Sequence, residues 1–172
     1  VSALFSEQFV TVVPPQMTKE CMQFGGTADA VYQSLNLMNM HRPDLVAVFG
    51  ADHIYRMDVR QMVRFHCENE ADITVAALPV PLDQVSNFGI IETDAVGRIH
   101  GFQEKPAQAR PMPNDPQRAY ASMGNYLFNA DLLRTALEEA HQRGETDFGH
   151  HVLPRLSKTH RVFAYDFATN VV

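Results

Sequence analysis

The residues best suited to chemistry stand at the ends of apolar runs. Asp52 follows residues 45–49 (LVAVF), behind Gly50 and Ala51. A carboxylate just past a buried strand can bind Mg²⁺, and the small residues before it let phosphate oxygens approach. A turn or capping aspartate would occupy the same place. His53 next to it reads as a packed hydrogen-bonding residue. Glu104-Lys105-Pro106 closes another run. An acid beside a base suits a sugar phosphate, carboxylate to hydroxyls and ammonium to phosphate, and it equally suits an exposed ion pair. Gly25-Gly26-Thr27 precedes a helical pattern and offers backbone N–H groups to an anion or a base edge. Phe24 can stack on a base or staple the helix start. Ser122 and Gly89 offer a hydroxyl and an accessible backbone N–H.

Other chemistries find no support. Neither GxxxxGK[ST], GxGxxG nor GxSxG occurs. His150 and His151 are neighbours, so on a helix they point apart, and no cysteine or carboxylate completes a zinc set with them.

These positions need elements to hold them. Residues 9–13 predict a strand, stopped by Pro14-Pro15. Ala28, Val31, Leu35 and Met38 share one helical face, with Thr27 as cap and Asp29 near the positive end of the dipole. Residues 45–49 read as a central strand covered on both faces. Asp58 opens a helix with Val59, Met62, Val63 and His66 on one side, followed by a strand at 73–78 (ITVAAL). Strand, helix, strand predicts βαβ units, a mainly parallel sheet and helices on its faces. A hairpin is expected over 89–103 around Asp94-Ala95-Val96-Gly97, and the four prolines at 106, 111, 113 and 116 make a loop. A strand at 121–128, a helix capped by Asp131, a short helix at 151–156 and a strand at 161–167 complete the pattern. No internal repeat appears.

At 172 residues and 45% hydrophobic content, the chain accommodates one folding unit. A net charge of −6 gives no reason to expect nucleic acid or an anionic membrane as partner. Two cysteines, Cys21 and Cys67, make no framework and fit a cytoplasmic location. The chain starts at Val1 with no signal-like segment, and both ends read as cuts, so an interior piece is expected.

Five strings occur in order: Gly26-Thr27-Ala28-Asp29-Ala30-Val31, Gly50-Ala51-Asp52-His53-Ile54-Tyr55, Glu104-Lys105-Pro106, Met112-Pro113-Asn114-Asp115-Pro116 and Ala121-Ser122-Met123-Gly124. Together they resemble the bacterial ADP-glucose pyrophosphorylases, or glucose-1-phosphate adenylyltransferases. The resemblance implies a Rossmann-like, glycosyltransferase-A-like nucleotidyltransferase fold in three layers, incomplete at both ends. It implies adenylyl transfer from ATP to glucose 1-phosphate, with Mg²⁺ as cofactor and a homotetrameric parent. Asp52 would be the catalytic and metal-binding residue, and Gly89, Glu104, Lys105 and Ser122 the sugar-phosphate contacts. Phe24, Gly26 and Thr27 would form the nucleotide side. The family's glycine-rich triphosphate loop, its second metal-binding aspartate and its β-helix domain have no counterpart in these residues. A sister enzyme using UTP or dTTP and a non-catalytic regulatory member of the fold are the alternatives. The 172-residue chain alone is expected to be inactive; formation of ADP-glucose by it would contradict this expectation.

Overall fold

A computed structural model describes residues 12–14, 24–50 and 54–172. The strand predicted at 9–13 lies mostly outside these residues, and Asp52 and His53 lie wholly outside them.

Six strands form one sheet: β1 (Leu45–Val48), β2 (Ile73–Pro81), β3 (Gly89–Thr93), β4 (Ile99–Glu104), β5 (Arg118–Asn129) and β6 (Val162–Asp166). The order is β4-β3-β5-β2-β6, with β1 also on β5. Helices α1 (Thr27–Tyr32), α2 (Leu35–His41), α4 (Ala130–Arg143) and α5 (Leu153–Leu156) contribute to the main core on one face, while α3 (Val59–Glu68) covers the other. The α/β class and three layers are therefore as expected, because strand residues alternate between two covered faces. Ile73, Val75, Tyr126, Phe128, Val162 and Ala164 join the first core, and Ala76, Leu127 and Tyr165 meet Met62 of α3.

The sheet is mixed rather than mainly parallel. Only β2 and β6 pair in parallel; β5 is antiparallel to β1, β2 and β3, and β3 to β4. Since β1 and β2 each oppose β5, they run the same way, and the crossover through α3 is the expected one. It spans one strand position because β5 lies between its ends. For the same reason β1 is not central: it pairs only with β5 among the described residues, Ala47 is exposed, and none of its side chains is fully buried. Both its faces nevertheless carry apolar packing, Val46 and Val48 to one core and Leu45 to the other.

Three local expectations change. The single helix after Ala28 is two, because Ser34 turns its hydroxyl back onto the Ala30 carbonyl (3.0 Å) and its N–H to Val31 O (3.0 Å), tightening the chain between α1 and α2. Thr27 is the first helical residue rather than the cap, and its hydroxyl is used elsewhere. Asp131 does not cap α4: the helix starts at Ala130, after Asn129, and Asp131 instead pairs with Arg134 at 2.7 Å. Asn129 does not cap with its side chain either, since its Oδ1 faces buried His66 Nε2 at 3.1 Å. Thr74 Oγ1 meets the other nitrogen at 2.8 Å, so His66 sits on its apolar face with both ring atoms partnered. A π-turn, Phe148–Val152, leads into α5, which ends at Leu156 as expected.

Two expectations of measurement follow from this packing. Phe128 is fully buried, with its ring 5.5 Å from Phe148 and 6.1 Å from Tyr126. Phe128→Ala should therefore cost about 3–5 kcal/mol in denaturant unfolding; a loss under about 1 kcal/mol would mean that this core is not closed as described. Asp58 caps α3 by accepting from Arg60 N at 3.0 Å, and hydrogen bonds from the Arg60 side chain hold its carboxyl down to about 2. Its contribution to stability is complete above the unfolded carboxyl's value of about 3.9 and disappears as pH falls through about 2. An NMR titration of Asp58 should show the lowered midpoint, and an ordinary midpoint contradicts the cap.

Candidate active site

A cleft of about 720 Å³ opens beside the carboxyl end of β1 and is walled by the β3–β4 hairpin, β5, α1 and the π-turn. Thr27, Gly89, Glu104, Lys105 and Ser122, five of the sequence-derived candidates, line it together. Phe24 and Gly26 are not among its lining residues, and Asp52 lies outside the described residues although Gly50, two positions earlier, is on the wall.

Three backbone features bring four of the five, Gly89, Glu104, Lys105 and Ser122, together. Gly89 pairs with Glu104 across the hairpin, and a Cβ at Gly89 would stand 3.0 Å from Glu104 Oε2, so the glycine leaves room for that carboxylate. Lys105 adopts φ +45, with its N–H donating to Phe88 O at 3.0 Å. A left-handed lysine is uncommon, and here it interrupts the alternation that would send adjacent strand residues to opposite faces. Glu104 and Lys105 thus share the cleft, Nζ to Oε1 at 3.7 Å. This is the exposed ion pair that the spacing also allowed, and with side chains 40% and 63% exposed it adds little to stability. Its two charges remain accessible to a ligand.

The third feature is a bulge in β5. Val75 pairs with Tyr126 but Ala77 pairs with Ser122, so β5 carries two more residues than β2 over this stretch. Gly124, with φ +69, lies inside it and donates its N–H to Ser122 Oγ at 3.3 Å. Bulges re-aim side chains, and this one puts Ser122, Met123, Gly124 and Tyr126 on the wall. Asn125, within the bulge, is fully buried; its Oδ1 accepts from Gly50 N at 3.2 Å while its Nδ2 has no partner among the described residues.

Just before α1, Gly26 has extended backbone, and its lack of a side chain serves packing: a Cβ would approach Thr146 O to 2.5 Å. Ala28 N and Asp29 N both donate to that same carbonyl, at 2.9 and 3.2 Å. The Thr27 hydroxyl donates to Asp147 Oδ2 (3.0 Å) and accepts from Phe148 N (3.1 Å). These contacts bring Asp147, Phe148 and His150 to the cleft; the sequence reading did not single out the first two, and weighed His150 only as a zinc ligand, which it rejected. Tyr126 was missed as well. Burial pushes its phenol up to about 12, against a hydrogen bond with Ser122, and the Asp147 and Glu104 carboxylates act in the same direction as burial. It therefore stays un-ionised near neutrality and can only donate or accept a hydrogen bond.

Among the described residues no group of three His, Cys, Asp or Glu could hold a metal. Two carboxylates on the wall, Glu104 and Asp147, are already engaged with Lys105 and Thr27. Nor is any described helix long and apolar enough to cross a membrane.

The profile of the nucleotidyl transferase family matches residues 4–170, nearly the whole chain including this mixed α/β sheet and its cleft, and the chain belongs to that family. It is 56% identical over 172 residues to a glucose-1-phosphate adenylyltransferase of Thermodesulfovibrio yellowstonii, covering 99% of this chain and 42% of that protein. Proteins of the same name from Anaeromyxobacter sp. and Photobacterium profundum are 51% and 45% identical, over 96% and 97% of this chain and 41% and 42% of theirs. The chain thus spans about two fifths of the length of the curated relatives it matches.

Two glycine substitutions separate packing from site geometry. Gly26→Ala drives a Cβ into backbone and should lower stability by about 1–3 kcal/mol. Gly89→Ala meets only the end of a flexible carboxylate and should leave the melting temperature nearly unchanged while displacing Glu104. Equal losses of stability in the two variants would contradict these roles.

Proposed function

We propose that this chain forms the sugar-phosphate side of a glucose-1-phosphate adenylyltransferase, an enzyme that transfers the adenylyl group of ATP to glucose 1-phosphate and releases pyrophosphate. The observation that carries the reading is the convergence of Gly89, Glu104, Lys105 and Ser122 on one cleft beside the end of β1. Its support from relatives is the name, glucose-1-phosphate adenylyltransferase, that three proteins at 45–56% identity share.

In this reaction an oxygen of the glucose 1-phosphate phosphate attacks the α-phosphorus of ATP. Two anions must be held in line, which asks for positioning and charge neutralisation more than for an acid or base. In the proposal Lys105 holds the sugar's phosphate, offsetting its repulsion from the triphosphate. Glu104 and Ser122 take sugar hydroxyls, and the Gly89 backbone supplies a further contact. Phe24, Gly26 and Thr27 are assigned to the nucleotide side; Thr27 acts there through its hydrogen bonds to Asp147 and Phe148, which fix α1 against the π-turn. Asp52 is assigned the divalent metal, taken to be Mg²⁺. The described carboxylates do not form a cage by themselves, so phosphate oxygens would complete its shell. Bound there, the ion would supply Lewis-acid polarisation of the phosphoryl oxygens and a template for both substrates.

The test is kinetic, in the intact protein. ATP should be preferred over UTP and dTTP with glucose 1-phosphate, and Asp52→Asn should lower kcat by about 10²-fold or more. Lys105→Gln should mainly raise the KM for glucose 1-phosphate, by about tenfold or more. A preference for UTP or dTTP, or an unchanged glucose 1-phosphate KM in Lys105→Gln, would overturn the assignment.

A further inference from the structure

The charges on the cleft wall do not balance for an anionic ligand. Among its described lining residues the formal charges near neutrality are the carboxylates Glu104 and Asp147 and one ammonium, Lys105; Tyr126 is kept un-ionised by burial. A sugar phosphate would bring up to two more negative charges. The remaining titratable lining residue is His150, at the first turn after Asp147.

His150 is held in a defined way. Its backbone N–H donates to Asp147 Oδ1 at 2.9 Å, and its Nδ1 lies 3.5 Å from the same oxygen. The other oxygen, Oδ2, accepts from Thr27 Oγ1 at 3.0 Å. The carboxylate is thereby anchored to α1, and it draws the protonated Nδ1 of the imidazole toward itself. No described hydrogen bond uses Nε2, and the side chain is 54% exposed. Neighbouring His151 is engaged differently, its Nδ1 accepting from Asp147 N at 3.4 Å, with the two rings 6.2 Å apart.

We propose that His150 is a second phosphate contact of the cleft, oriented by Asp147 and active in its protonated form. This rests on the sugar-phosphate reading above. With Nδ1 turned to Asp147, neutral His150 presents Nε2 as an acceptor, which an ionised phosphate oxygen cannot use. Protonation makes Nε2–H a donor and adds the positive charge that, with Lys105, matches Glu104 and Asp147. The titratable and hydroxyl groups that share the cleft wall with it are Thr27 on α1, Glu104 and Lys105 at the end of β4, Ser122 and Tyr126 on β5, and Asp147 on its own segment, with His151 adjacent to it. A phosphate that binds the protonated form better raises the histidine's pKa, so by linkage affinity rises as pH falls through that pKa.

Calorimetric titration with glucose 1-phosphate from about pH 5.5 to about pH 8 tests this in the intact protein, comparing wild type with His150→Gln, His150→Lys and Lys105→Gln. Ratios between variants cancel the ligand's own ionisation. The wild type should bind about fivefold more tightly than His150→Gln at the acid end and equally at the alkaline end. His150→Lys should keep the acid-limb affinity throughout and exceed wild type by about fivefold at the alkaline end. In NMR, glucose 1-phosphate should raise the titration midpoint of His150 and not that of His151. A ratio of wild type to His150→Gln that stays flat across the range overturns this proposal. If Lys105→Gln also leaves affinity unchanged, the sugar-phosphate reading of the cleft falls with it; if Lys105→Gln weakens binding at every pH, only the role of His150 does.

Discussion

Strand β5 hydrogen-bonds to β1, β2 and β3, and the rest of the structure depends on that shared pairing. It holds the crossover strands β1 and β2 in a common direction without letting them touch, and it attaches the β3–β4 hairpin to the sheet. Its side chains alternate between the two cores, Tyr126 and Phe128 toward α4 and Leu127 toward α3, so one strand closes both hydrophobic layers. The bulge around Gly124 interrupts this regular strand where the wall of the cleft needs Ser122. Irregularity is confined to the middle of the element, with regular pairing on either side of it.

The cleft is built from contacts between residues far apart in the chain. Thr27 reaches Asp147, Gly50 reaches Asn125, and Gly89 faces Glu104. The pairings tie α1 to the π-turn, the end of β1 to β5, and one hairpin strand to the other. A polar site made this way keeps its groups preorganised, which is what a reaction governed by charge placement requires. Lys105 shows the local cost, a non-glycine residue held at φ +45 by its hydrogen bond to Phe88 O so that its ammonium shares a wall with Glu104.

Much of this was legible in the residues, because periodicity and caps are local signals. The apolar run ITVAAL, the apolar face Val59, Met62, Val63, His66 behind Asp58, and the turn Asp94-Ala95-Val96-Gly97 each indicated the element that is found. What was not legible is non-local. Nothing in residues 121–128 reveals that they pair antiparallel between β1 and β2, since period-two patterning fixes faces but not neighbours. The break at Ser34 turns on a side-chain hydrogen bond to Ala30 O that competes with helix continuation. Asp147 escaped notice because its contact with Thr27 crosses 120 positions, and His150 was read only as half of a metal pair that the spacing excluded. Conversely, Gly26 drew attention as a ligand contact, while the structure gives its missing Cβ a packing reason at Thr146.

The central claim, that the space between the hairpin and β5 receives a sugar phosphate, is tested most directly by an amide chemical-shift titration of the ¹⁵N-labelled protein with glucose 1-phosphate. If the claim holds, the saturable shifts cluster at Gly89, Lys105, Ser122 and Gly124 on the wall of that cleft. Shifts gathered instead at the groove of Arg143, Arg155 and His160 on the other side of α4, or no saturable shift at all, would contradict it.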